Sequence, residues 1–304
     1  MMTKSRKNLN ILASLGISIL AVLIFTNVDF SKDEGEPVPA SFMGARAYQN
    51  VAIQLEFGPR VPGSQAHAMQ LDWMQSELER YGWQVERQLG EQLGHPLTNL
   101  IAKKGNGTSL IMFGAHYDSR LVADEDPDPV LRDQPVIGAN DGASGVAVLL
   151  ELARVLPENL NAEVWMVFFD IEDNGNLEGW NWILGSQYFA ENIEKMPDKF
   201  ILVDMVGDAD LSLPIERNST PKLADEIWSV GESLGYQDIF SRDERYAIID
   251  DHLPFIELGI PSVDIIDIEY TNWHTSQDNL SKISAYSLNV VGSTLLEWLI
   301  QTYQ

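Results

Sequence analysis

Three short runs constrain the fold more than anything else in the chain: VWMVFFD at 164–170, FILVDMV at 200–206 and SVDII at 262–266. Each is apolar, rich in β-branched or aromatic residues and too short for a helix. That is the pattern of strands buried on both faces. Further strands are expected at 97–103 and 108–115. Segments of helical period lie between and around them. His67, Leu71, Met74, Leu78 and Tyr81 recur at three- and four-residue steps and stop near Gly82. Val146, Leu149, Leu150 and Ala153 mark a helix over 142–156, and Leu288, Val291, Leu295 and Leu299 another over 283–302. Strands alternating with helices imply an α/β fold, a central sheet covered on both faces.

The leading end is different in kind. Lys4, Arg6 and Lys7 precede an almost uncharged run over 11–25. That run suits the core of a signal peptide and is short for a membrane span, which takes about 20 apolar residues. Residues 1–30 are therefore expected to be a signal peptide or, since no small-residue cleavage pattern follows, an uncleaved signal anchor. Its basic end would stay in the cytoplasm, leaving the rest exported, membrane-anchored or secreted. Residues 31–42 begin SKDEGEPVPA and read as a linker. Residues 43–304 form a single expected domain.

Composition narrows the chemistry. Against 20 Lys+Arg stand 45 Asp+Glu, a net charge of −25, which argues against nucleic acid and anionic membrane surfaces as partners. With no cysteine there can be no disulfide, thiolate metal site or cysteine nucleophile. A metal would have to be held by the five histidines, the acids or the backbone.

In open α/β sheets the active crevice lies beyond the carboxyl ends of the strands. Here those ends carry charge: His116-Tyr117-Asp118 after 108–115, Asp170-Ile171-Glu172-Asp173 after 164–170, and Asp204 within 200–206. Asn140-Asp141 precedes the helix at 142, and Trp273-His274-Thr275 precedes the last helix. Singly, each has a plainer reading: Asp141 as a helix cap, Glu172-Asp173 as a solvated loop, His116 as a hydrogen-bonded core histidine. Asp204 in an apolar strand is harder to set aside, because a buried carboxylate needs a partner or a proton. Together, two imidazoles and three carboxylates suit zinc, which takes nitrogen and oxygen ligands and can keep a position open for substrate.

The order His116-Tyr117-Asp118-Ser119, Asn140-Asp141-Gly142-Ala143-Ser144-Gly145, Phe168-Phe169-Asp170-x-Glu172-Asp173, Asp204, His274-Thr275 resembles the zinc aminopeptidase and glutaminyl cyclase superfamily, peptidase family M28-like, over roughly residues 45–303. The resemblance implies a three-layer αβα fold with a mixed, mostly parallel central sheet. In the aminopeptidases the matches to His116, Asp141, Asp173, Asp204 and His274 hold two zincs, Asp141 bridging. In the cyclases the matches to Asp141, Asp173 and His274 hold one. The match to Glu172 is the general base. Phe57-Gly58-Pro59-Arg60-x-Pro62-Gly63-Ser64, Asp250-Asp251-His252-x-Pro254-Phe255 and Trp273-His274-Thr275 look more like the cyclase branch. That branch implies Asp204 and Asp250 as catalytic partners of Glu172 and Trp180 and Trp273 as walls of the substrate pocket. Two positions depart from it: Asp173 stands where glutamate is usual, and Asp264 where the cyclases place histidine. The second departure would make the network of Asp204, Asp250 and Asp264 all carboxylate, with at least one proton retained.

Three functions follow as expectations. The first is a zinc-dependent glutaminyl-peptide cyclotransferase acting on peptide or protein N-termini. The second is a two-zinc aminopeptidase, and the third a non-catalytic ectodomain, which the presence of Glu172 and all the ligand positions weakens. The acidic stretch Asp124-Glu125-Asp126-Pro127-Asp128 lacks the spacing and turn glycine of an EF-hand and reads as a solvated loop near the pocket rim. His67 and His95 read as structural, and His252 as a brace for the pocket.

Overall fold

The computed structural model describes residues 41–304. The expected signal or anchor at 1–30 and nearly all of the linker at 31–42 lie outside the described residues. Among the described residues, no helix is long and apolar enough to cross a membrane.

The chain opens with helices α1 (Gly44–Glu56) and α2 (Gln65–Arg80), then the hairpin of β1 (Gln84–Gln92) and β2 (His95–Gly105). Next come β3 (Ser109–His116), α3 (Ala143–Val155), β4 (Ala162–Phe169), α4 (Leu184–Glu191) and β5 (Lys199–Asp204). The last part holds β6 (Leu213–Glu216), α5 (Pro221–Ser233), β7 (Phe240–Arg245), α6 (Leu253–Glu257), β8 (Ser262–Ile266) and α7 (Ala285–Tyr303). Six strands form one sheet in the order β1-β2-β4-β3-β5-β8. The β1–β2 and β2–β4 pairs are antiparallel, and β4–β3, β3–β5 and β5–β8 are parallel. This is the mixed, mostly parallel sheet that the resemblance implies, with the apolar runs as its central strands. The pair β6–β7 forms a separate two-stranded sheet.

The period of two along each buried strand sorts its side chains into two cores. Ile111, Phe113 and Ala115 of β3, Val164, Met166 and Phe168 of β4, and Ile201 and Val203 of β5 join the core built with α1, α2, α3, α5 and α7. Their alternates, Leu110, Met112, Trp165, Val167, Phe169, Phe200 and Leu202, pack with Phe189 of α4 and Phe255 of α6. Helices therefore cover both faces, giving three layers. Each fully buried Leu or Phe contributes about 1.5–3 kcal/mol, a margin against which a cluster of buried charges can be sustained.

β1 is the element with no apolar run to announce it. Its sequence QVERQLGEQ is polar, and its residues alternate between half-buried and exposed at the edge of the sheet. The start of α3 shows the opposite economy of space. A Cβ on Gly145 would sit 2.1 Å from the Val203 carbonyl oxygen, so glycine there lets α3 lie against β5 and brings Asp141 over the strand ends. Gly142, with φ +87°, caps α3 without any side-chain hydrogen bond. The plainer reading of Asp141 as a helix cap is thus corrected, and its carboxylate is left for other partners.

Candidate metal centre and its cavity

Because β3, β4, β5 and β8 run in parallel, their carboxyl ends gather on one rim of the sheet. His116 ends β3, Asp204 ends β5, Glu172 and Asp173 follow β4, Asp141 precedes α3, and His274 lies between β8 and α7. All are buried. His274 Nε2 lies 2.7 Å from Asp173 Oδ1 and 3.4 Å from Asp141 Oδ2. His116 Nε2 lies 3.1 Å from Asp141 Oδ1 and 3.2 Å from Asp204 Oδ1. Two groups result, Asp141–Asp173–His274 and His116–Asp141–Asp204, each with one ligand atom per residue within 4.8 Å of the others, and Asp141 belongs to both.

The arrangement fits a zinc-like cation. Tetrahedral ligands at about 2.0–2.2 Å from the metal stand about 3.3 Å apart, close to the separations between these atoms. His116 Nε2, Asp141 Oδ2 and Asp173 Oδ2 are buried without a hydrogen-bond partner. Such orphaned donor atoms call for an explanation, and a bound ion is a direct one. Asp173 reaches the group even though it is a methylene shorter than glutamate.

The ligands are held by carboxylates that grip backbone N–H groups. Asp118 accepts from Glu172 N at 3.0 Å and Asp173 N at 3.3 Å. Asp278 accepts from Asn140 N at 2.8 Å and Asp141 N at 3.1 Å, and from the Tyr270 hydroxyl at 2.8 Å. Asp170 accepts from Thr98 N and Ile171 N and meets His67 Nε2 at 2.7 Å. These grips surround a backbone under strain. Ile171, Met205 and His274 have φ of +48°, +45° and +54°, in the left-handed region that non-glycine residues avoid. Asp278 carries no sequence signal for this grip, since Asn140 and Asp141 are 138 and 137 residues away.

Above the metal group lies a cavity of about 240 Å³. Asp141, Glu172, Asp173, Asp204 and Asp250 form its polar part, and Trp182, Trp273, Met205, Ile248, Ile249, Ile266 and Ile268 its apolar walls. Trp273 stacks on His274 with ring centres 3.6 Å apart, and Trp182 on Trp273 at 6.5 Å. Trp180, expected on the pocket wall, does not line the cavity; it stacks on His95 at 3.6 Å and packs with Leu97, Ile171 and Leu184. The segment holding Trp180 and Trp182 has no regular period from which the inward residue could be read. His95 opens β2. His252 stands behind the cavity, 3.2 Å from Glu216 Oε2 and 3.6 Å from Asp264 Oδ2.

Burial controls the electrostatics. It pushes the Glu172 carboxyl well above the usual range; nearby His116 opposes this, and Asp251, Asp250 and Asp173 reinforce it. Burial likewise raises Asp250 and Asp264 well above that range, helped by neighbouring acids, so this all-carboxylate network retains protons. Asp204 is raised by burial against the pull of His116. Asp173 is pushed up to about 6 by burial and the nearby Asp141, whereas Asp141 itself is held low because His116 and His274 outweigh its burial. A bound cation would favour the ionised form of the acids around it.

Known proteins resemble this chain in sequence and fold. A family model for peptidase family M28 matches residues 99–299. The crystal structure of Porphyromonas gingivalis glutaminyl cyclase is 34% identical in sequence with a TM-score of 0.82, covering 86% of this chain and 99% of that one. A Zn-dependent exopeptidase from Parabacteroides distasonis is also 34% identical, with a TM-score of 0.81, covering 86% of this chain and 99% of that one. The glutaminyl-peptide cyclotransferase of Boiga irregularis is 24% identical over 295 residues, 82% of this chain and 78% of the relative.

Proposed function

The chain belongs to peptidase family M28, and from that premise we propose that it is a zinc-dependent glutaminyl-peptide cyclotransferase, converting N-terminal glutamine of peptides to pyroglutamate with release of ammonia. One observation carries this reading: the buried Glu172 carboxyl lies in a tryptophan-walled cavity beside the Asp141–Asp173–His274 group. The likeness to proteins described as glutaminyl cyclases supports it.

Asp141, Asp173 and His274 are the residues that would hold one zinc, with Lewis-acid polarisation of a carbonyl as the chemistry it supplies when bound. Trp182 and Trp273 enclose the glutaminyl side chain and exclude water, so the peptide's own α-amine is the available nucleophile. Amine and γ-carbonyl belong to one residue, and holding them in register removes most of the entropic cost of meeting. The ring C–N bond forms as Glu172 takes a proton from the α-amine. The amide C–N bond breaks as Glu172 returns that proton to the departing nitrogen, which leaves as ammonia. Glu172 suits this exchange because burial raises its proton affinity, making it a better acceptor of the amine's proton. Asp204 would hold the leaving amide, with Asp250 behind it sharing the proton.

A second reading has its own observation. The His116–Asp141–Asp204 group could hold a second metal, with Asp141 bridging, as a two-zinc aminopeptidase requires. Glu172 would then activate water. Purified protein given a glutaminyl and a leucyl peptide, with zinc counted per chain, separates the two. Ammonia release with one zinc is the expected result, and leucyl hydrolysis with two would overturn it. Glu172→Gln should retain zinc and lose about 10²–10⁴-fold in turnover.

A further inference from the structure

His274 is the one ligand candidate whose own backbone is left-handed, at φ +54°. A non-glycine residue stays in that region only where its surroundings over-determine it. What fixes it is the acidic stretch that the sequence presents as a solvated loop. The Glu125 N–H donates to the His274 carbonyl at 3.2 Å. Asp126 is buried and accepts from the Ser276 N–H at 2.8 Å, so the stretch is tied to the histidine and to the turn that follows it.

Just before these ties Asp124 presents Oδ1 at 3.7 Å from His274 Nδ1. That nitrogen is the one not facing Asp173 and Asp141, and it has no hydrogen-bond partner. At this distance the contact is electrostatic and beyond hydrogen-bond length. A carboxylate there favours the proton on Nδ1 and leaves the Nε2 lone pair for a metal. Asp124 is itself fixed by Arg120, whose Nε and Nη2 meet its two oxygens at 2.6 Å each. The same buried arginine donates from Nη1 to the Asp173 carbonyl at 2.8 Å. Its guanidinium lies 5.1 Å from the centre of the Trp182 ring.

We propose that Arg120 and Asp124, tethered through Asp126, form a positioning clamp for the metal centre. Asp124 sets the tautomer and backbone of His274, and Arg120 holds Asp124, the Asp173 turn and the Trp182 wall in one frame. The clamp rests on the site holding zinc and not on which N-terminal reaction follows.

The test reads zinc affinity of the full chain by competition with a chromophoric chelator, without substrate. The proteins are wild type, Asp124→Asn, Arg120→Lys, Asp126→Asn and Asp133→Asn; Asp133 is an exposed acid of the same connection. Loss of a partner behind a metal ligand weakens binding by about 10–100-fold, the result expected for Asp124→Asn and Arg120→Lys. Asp133→Asn should stay within about twofold of wild type, since a solvated charge has no such partner. In zinc-loaded protein labelled with ¹⁵N-histidine, the protected Nδ1–H of His274 should be lost in Asp124→Asn. Equal zinc affinity in Asp124→Asn and Asp133→Asn overturns the clamp. Should Asp124→Asn fail to fold, wild-type affinity in both Arg120→Lys and Asp126→Asn overturns it equally. Wild type that binds no zinc would instead overturn the metal reading on which the clamp rests.

Discussion

The two halves of the metal centre share Asp141 and are built on opposite plans. In the Asp173–His274 half, the supporting acids spend their charge on N–H donors: Asp118 on the Glu172–Asp173 backbone, Asp278 on the Asn140–Asp141 backbone, Asp124 on Arg120. The His116–Asp204 half backs onto Asp250, Asp251 and Asp264, with His252 beyond Asp264. Burial pushes Asp250, Asp251 and Asp264 all up, and neighbouring acids reinforce it. The first half is braced to hold a cation at fixed geometry. The second balances its charge with protons, which suits a place where protons are moved.

The sharpest way to break this contrast is to remove one histidine from each half. His274→Ala should lose zinc affinity by more than about 100-fold, above the range for a supporting residue, and turnover should fall with it. His116→Ala should keep one zinc per chain with affinity within about tenfold of wild type. Zinc per chain by elemental analysis, with chelator competition, checks both. Equal loss in the two variants would make the halves equivalent and favour the two-zinc reading.

A smaller effect is expected from pH on the chelator-stripped protein. Folding raises Asp173 to about 6 and Asp251 and Asp278 to about 7, chiefly by burial. Folding raises His274 to about 9, because Asp173 and Asp141 outweigh the opposing effect of burial. An acid raised on folding stabilises below its unfolded value near 4 and loses that stability as pH rises through its folded value. The imidazole's contribution is complete below about 6.5 and is lost as pH rises toward about 9. All four act in one direction, so the stripped protein should melt several degrees lower at pH 8 than at pH 5. Zinc should remove the part due to Asp173 and His274 and leave the part due to Asp251. Melting curves at both pH values, with and without zinc, read this; a stripped protein more stable at pH 8 would contradict it.

The same contrast explains what could be read in the sequence. The central strands were legible because burial on both faces leaves only apolar residues at 164–169 and 200–203. Among the candidate ligands, Asp173 and Asp204 were legible because they sit at or just past the ends of those strands. The supporting residues were not, because each acts across a long sequence separation: Asp118 on Glu172, Arg120 on Asp173, Asp278 on Asp141. An acidic stretch folded onto a metal ligand has the same composition as one in water, which is why residues 124–128 read as solvated. β1 was missed because an edge strand half in water carries no apolar run. Trp182 could not be read as a wall of the cavity, because an irregular segment gives no period to say which tryptophan points inward.

The smallest effect concerns a brace of the Asp173–His274 half. His67 of α2 meets the Asp170 carboxylate at 2.7 Å, and Asp170 opens the left-handed turn at Ile171 that delivers Glu172 and Asp173. Burial opposes a charge on His67, but Asp170 outweighs it and raises the imidazole above its ordinary value. A charge-assisted hydrogen bond of this kind contributes about 1.5–3 kcal/mol. For a domain of this size that is about 2–4 °C of melting temperature for each kcal/mol. The pair's ionic contribution is complete below about pH 6.5 and fades as pH rises through the raised value of His67. His67→Gln should therefore lower the melting temperature more at pH 6 than at pH 9, with zinc per chain unchanged. Paired melts of the two zinc-loaded proteins measure the difference. A gap that stays constant with pH would mean that His67 holds Asp170 as a neutral donor, leaving the turn before Glu172 fixed by hydrogen bonding without charge.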